Sequence, residues 1–211
     1  PIKGYHENGA LNYSYSYKKG TPSGKYEAFY PNKQLSLEFN LVDGLYEGMY
    51  TSYYENGTKK AEVNYIKDLR DGVYKEWYEN GVLKEETIYK EGKTVNSFKE
   101  YFSNGKLSNL GQFDESGKEN GISTDYDFDG VKYFEREFKK GDLVAVKSYN
   151  KKGEVIHSSN KKGKKLDYKV FYPDGSLKRE GFYENNNKNG VWKYYTRYGT
   201  VSAIENYEDG V

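Results

Sequence analysis

The sequence predicts an all-β chain, an elongated single-layer antiparallel sheet of about nine tandem β-hairpin repeats of about 24 residues each, filling residues 1–211 as one repeat domain. Three observations predict it. A turn residue after Asn, Asp or a stand-in recurs at Gly9, Lys33, Gly57, Gly81, Gly105, Gly130, Gly153, Gly175 and Gly199, in steps of 22 to 25 residues. An aromatic ring stands four residues before every one of these markers: Tyr5, Phe29, Tyr53, Trp77, Tyr101, Tyr126, Tyr149, Phe171 and Tyr195. A second ring set, seven before the marker, lies at Tyr26, Tyr50, Tyr74, Phe98, Tyr168 and Trp192, which strand alternation places on the opposite face.

Each element follows from that register. Rings between Gly, Asn, Asp and Pro punctuation favour strands, and about 24 residues hold two strands of about six plus two turns. Pro31 and Pro173 suit the second position of a type I turn, with the marker in the left-handed conformation as a bulge. In that register the ring four before the marker faces the residue two after it, usually leucine, as at Leu11, Leu35, Leu83, Leu107 and Leu177. Rings on both faces argue against a sandwich, whose strands would be apolar on one side only. Eighteen strands at about 4.8 Å would run roughly 85 Å.

Composition agrees with a thin fold built from rings. The chain is 35% hydrophobic with a mean hydropathy of −1.05, values that would suggest disorder, but hydropathy scales score its 25 Tyr as polar although each ring is a large apolar surface, and 10 Phe add to them. Basic residues number 33 against 32 acidic, so a dedicated nucleic-acid binder is not indicated. The absence of cysteine removes disulfides, thiolate nucleophiles and cysteine metal sites. No run of eighteen apolar residues is present to form a helical membrane span.

The stretch "GVYKEWYENGVLKEETIYKEG", Gly72 to Gly92, resembles the MORN-repeat variant, as found in bacterial proteins of the YwqK antitoxin family. The likeness is fullest in the third and fourth repeats and weakest in the sixth and seventh, where "DYDFDG" and "SYNKKG" lose the second ring of the pair. It implies an elongated hairpin sheet that serves as a protein-binding scaffold, with membrane-lipid contact in some members and, for the YwqK family, a partner toxin. The antitoxin-like reading implies a cytoplasmic protein; an exported or surface protein would follow from a removed signal.

Candidate sites are few. Asp125, Asp127 and Asp129 before Gly130 match the first half of a calcium loop, but the twelfth position is Arg136 where glutamate is required, so a metal site is not expected. Ten lysines between Lys139 and Lys169 face only Asp142, Glu154 and Asp167, and the register distributes them to opposite edges of the sheet. His6 and His157 lie in different repeats, and the glutamates five after the marker form a ladder; no cofactor or catalysis is expected. Aromatic ladders could also hold glycan or choline. The favoured expectation is a non-enzymatic scaffold binding a protein partner through exposed rings, with Trp77, Trp192, Tyr53, Tyr78 and Tyr101 as the contact residues.

Overall fold

A computed structural model describes all residues, 1–211, and contains strands and turns with no helix. The chain divides into two compact units, Pro1–Gly105 and Lys106–Val211. In the first, hairpins pair Ile2–Tyr5 with Leu11–Tyr15, Gly24–Phe29 with Leu35–Val42, Gly48–Tyr53 with Lys59–Ile66, and Gly72–Trp77 with Leu83–Lys90. Successive hairpins join into an antiparallel ladder, and Leu83–Lys90 pairs onward with Lys93–Tyr101. Two-residue ribbons at Leu45–Tyr46 and Leu69–Arg70 fold back on the preceding strands.

The turn register holds throughout. Each of the nine marker N–H groups donates to the carbonyl three residues earlier at 2.8–3.0 Å. Every marker is left-handed, the glycines at φ of 78° to 90° and Lys33 at 72°. Glycine adopts that region without a Cβ penalty, so Lys33 carries strain that its neighbours avoid. The ring four before the marker faces the residue two after it, as in Tyr5 with Leu11, Phe29 with Leu35, Trp77 with Leu83 and Phe171 with Leu177, each beside a bulge.

The second ring of the "YYENG" pair fastens repeat to repeat. The hydroxyls of Tyr30, Tyr54 and Tyr78 donate to the carbonyls of Tyr53, Trp77 and Tyr101, 23 residues on, at 2.8 Å. Beside them runs an asparagine ladder, in which the amide nitrogens of Asn8, Asn32, Asn56 and Asn80 donate to Pro31, Glu55, Glu79 and Ser103 carbonyls at 3.0–3.3 Å. Each amide oxygen meanwhile accepts the N–H two residues ahead, closing its own turn. Aspartate can do only the second job, and Asp174 does so through Ser176.

The second unit begins with the strand Leu107–Phe113, which pairs with Gly121–Tyr126, and the ladder continues through Lys132–Lys139, Asp142–Tyr149 and Val155–Asn160. There it is interrupted. Lys165–Phe171, Leu177–Glu184, Asn187–Tyr195 and Val201–Tyr207 form a separate four-stranded sheet. Along Lys165–Phe171 the residues Leu166, Tyr168 and Val170 are buried, and they pack with Phe134, Leu143, Val146 and Trp192 into a hydrophobic core. Single-layer stacking therefore gives way here to a face-packed core, because this strand alternates apolar and charged residues as a half-buried strand does.

Gly181 makes the room. A Cβ at that position would lie 2.4 Å from the Trp192 ring. Replacing Gly181 by Ala is expected to destabilise the second unit by about 1–3 kcal/mol through overpacking, and adding Trp192→Phe should recover part of the loss; urea unfolding of the single and double variants checks this. Tyr78→Phe removes one fastening hydroxyl and leaves the Tyr101 carbonyl without it, an expected loss of about 1 kcal/mol in the same assay.

Candidate functional site

The first unit carries a groove of about 520 Å³ whose walls are rings. Gly48–Tyr53 supplies Tyr50, Lys59–Ile66 supplies Tyr65, and Gly72–Trp77 supplies Tyr74, while Tyr53 borders the groove with its hydroxyl turned to Glu38. The ribbons between hairpins add Tyr46 and Arg70, while Ser52 and Ala61 are small enough to leave the space open. The rings continue into a chain of aromatic contacts: Tyr26 stacks on Phe39 at 4.6 Å, Phe39 meets Tyr46 tilted at 4.6 Å, Tyr46 meets Tyr65 tilted at 5.2 Å, and Tyr50 meets Tyr65 edge to face at 6.1 Å. Arg70 lies over Tyr74 and Tyr89 at 5.4 and 5.3 Å and donates to the hydroxyls of Tyr65 and Tyr89. Burial raises the pKa of Tyr50 and Tyr74 above the ordinary phenol value, so both stay neutral donors through the physiological range.

The glutamates five after the marker form the expected ladder and are paired. Glu38 meets Lys25 at 2.9 Å and the Tyr53 hydroxyl at 2.9 Å; Glu180 meets the Tyr195 hydroxyl at 2.7 Å and Lys169 at 3.0 Å. The Lys25 bond holds the Glu38 carboxyl below its ordinary pKa against the opposing effect of burial, and Tyr195 followed by Lys169 does the same for Glu180. A carboxylate lowered in the folded state stabilises above its unfolded pKa, and that contribution is lost as pH falls through the folded one.

The expected contact residues are dispersed. Tyr53, Trp77 and Tyr101 occupy equivalent places in successive hairpins, half-buried, and their carbonyls accept the fastening hydroxyls. Of these, Tyr53 borders the groove. Trp77 has Lys59 over its ring at 5.4 Å. Tyr78 is one of the fasteners, so its hydroxyl is committed to the sheet. Trp192 is 1% exposed and belongs to the core of the second unit, which removes it as a surface contact. Tyr46 and Arg70 escaped the sequence reading because they stand eleven before the marker, in a connection the repeat register leaves unassigned.

The three aspartates do not converge. Asp125 pairs with Arg136 at 2.9 Å and accepts from Asn109, Asp127 caps its own turn through the N–H groups of Asp129 and Val131, and the Asp129 carbonyl accepts from Lys106. No three His, Cys, Asp or Glu side chains gather where they could hold a metal ion. Of the lysine-rich segment, Lys162, Lys165 and Lys169 come together in a second groove, joined by Lys193 from outside it. The register did not foresee that grouping.

Residues 46–67, 70–91 and 166–185 match the family model of the MORN repeat variant. No curated protein matches the chain. Among solved structures, a chain of "Crystal Structure of TcdB2-TccC3-Cdc42" aligns with 98% of this chain at 8% identity and a TM-score of 0.18, a likeness that carries no inference; this chain spans 16% of that one's length. The three matched repeats, set in a turn register that the rest of the sequence shares, support its being a MORN-repeat protein.

Proposed function

We propose that the chain is a non-enzymatic scaffold that binds another protein through the ring-walled groove of its first unit. MORN repeats are in general protein- and lipid-binding modules. The observation that favours a protein is the groove's make-up: Tyr46, Tyr50, Tyr65 and Tyr74 with Arg70, the residue types that dominate binding energy at protein interfaces. Tilted and edge-to-face contacts hold Tyr46, Tyr50 and Tyr65 in place before any partner arrives, so little of their side-chain freedom is lost on binding. Neutralisation of a partner toxin is the finer reading, and it rests on the likeness of Gly72 to Gly92 to the YwqK family.

Affinity capture from the source cell, followed by titration of the recovered partner, tests this. Arg70→Ala is expected to weaken binding by about tenfold or more, as loss of a central arginine does; because the side chain also holds Tyr65 and Tyr89, its melting curve is measured beside the titration to show that the variant is folded at the assay temperature. Binding lost only where the variant has unfolded would mean that only the sheet had been damaged. Retention on choline resin, or salt-sensitive sedimentation with anionic liposomes, in the absence of any captured protein would replace the reading with a glycan or lipid one. If the captured partner is toxic when expressed alone, and co-expression of this chain restores growth, the toxin reading stands.

A further inference from the structure

In the second unit the break in the ladder leaves a strand edge open beside a charged groove. Val155–Asn160 pairs with Asp142–Tyr149 on one side and with no strand on the other. Elsewhere the second strand of one hairpin pairs with the first strand of the next, as Lys132–Lys139 does with Asp142–Tyr149 and Leu177–Glu184 with Asn187–Tyr195. Here that neighbour, Lys165–Phe171, is drawn into the core instead. The open strand reads "VIHSSN": it has neither proline nor a charged side chain, the usual means of blunting an edge. Its six residues offer about 20 Å of backbone.

Against this edge lies a groove of about 940 Å³. Its charged lining is Lys162, Lys165, Lys169 and Lys193 against Asp167 and Glu180, an excess of positive charge, and Glu180 is already held by Lys169 and Tyr195. Phe182 and the half-exposed Val191 give it an apolar floor, with the Lys165 ammonium 3.8 Å from the Phe182 ring centre. His157, also in the lining, has a buried Nε2 with no hydrogen-bond partner. Burial, reinforced by Lys169, lowers its pKa, so the ring is neutral at pH 7.

We propose that this groove captures an extended acidic segment of a partner protein, which adds as a strand to Val155–Asn160 while its carboxylates meet Lys162, Lys165 and Lys193. Main-chain pairing supplies affinity and the alternate side chains supply selectivity, acidic ones toward the lysines and apolar ones toward Phe182 and Val191. The surface belongs to the second unit and is separate from the ring-walled groove of the first, so either reading can fail without the other.

The probe is an N-acetylated, C-amidated peptide of alternating Glu and Val, about eight residues long to cover the edge, titrated into the full isotope-labelled chain. Expected results are shifts and slowed exchange of the amides within Val155–Asn160, and binding lost when alternate peptide amides are N-methylated. The double variant Lys165→Glu with Lys193→Glu should bind about tenfold or more weakly, as reversing two contact charges implies. If its melting point falls, Lys165→Gln with Lys193→Gln is used, and weakening is again expected. Unchanged affinity of the methylated peptide, or equal competition by tripolyphosphate, would show a plain anion site and overturn strand addition. Absence of binding, protected amides elsewhere, or burial of the edge in a dimer of the chain that the peptide does not compete with would also overturn it.

Discussion

In the first unit, the hydrogen bonds that cross from one hairpin turn to the next are the constraint on which the regular array depends. A two-stranded hairpin is marginal in water, and a thin sheet offers little enclosed volume in which to bury side chains. Tyr30, Tyr54 and Tyr78 answer both problems with one side chain. The ring covers neighbouring apolar surface, and the hydroxyl finds a backbone carbonyl 23 residues on. Asn32, Asn56 and Asn80 lock the same ends in register, because the amide both closes its own turn and reaches the next. A one-residue slip would break both contacts at once, so spacing is held tightly where hairpins meet.

Much of this was legible because the repeat compares the chain with itself. Nine left-handed turns, the ring opposite Leu11, Leu35, Leu83 and Leu177, and the glutamate ladder all follow from one alignment of markers. The role of Tyr78 was not legible, since an aromatic pair looks the same whether its second ring faces a partner protein or a carbonyl of the next repeat. Arg70 and Tyr46 were invisible for the opposite reason. They lie between hairpins, where a register built on the turns says nothing, yet Arg70 gathers the hydroxyls of Tyr65 and Tyr89.

Trp192 shows how a repeat alignment misleads. In the array it occupies the place of Tyr50 and Tyr74, which are half-buried rings, and as a tryptophan it is expected among the exposed contact rings. What distinguishes it is the residue across the ladder. Six after the marker, where Phe39, Val63 and Thr87 stand in the first unit, the eighth repeat has Gly181, and the indole lies against that glycine. A large ring beside a missing side chain is a packing signal that survives without any structure, provided cross-strand neighbours are read together rather than position by position.

The break in the ladder has a cause that loss of the turn fasteners does not explain. Asp127 and Asn150 both stand where the fastening tyrosine would be, yet the strands that follow Asp127 remain paired while those that follow Asn150 do not. The difference lies in the strand that comes next. In "KLDYKVF", from Lys165 to Phe171, Leu166, Tyr168 and Val170 point one way and Lys165, Asp167 and Lys169 the other. Leu166 stands where Gly24, Gly48, Gly72, Gly121 and Gly190 stand in other repeats, nine before the marker. Burying those three side chains against Phe134 and Val146 contributes several kcal/mol, at roughly 1.5–3 for a fully buried apolar side chain, more than a few ladder hydrogen bonds at about 1 kcal/mol each. The strand therefore leaves its ladder position for the core. Its departure opens both the edge of Val155–Asn160 and the lysine-lined groove beside it, so one apolar alternation accounts for the core and for the vacancy together.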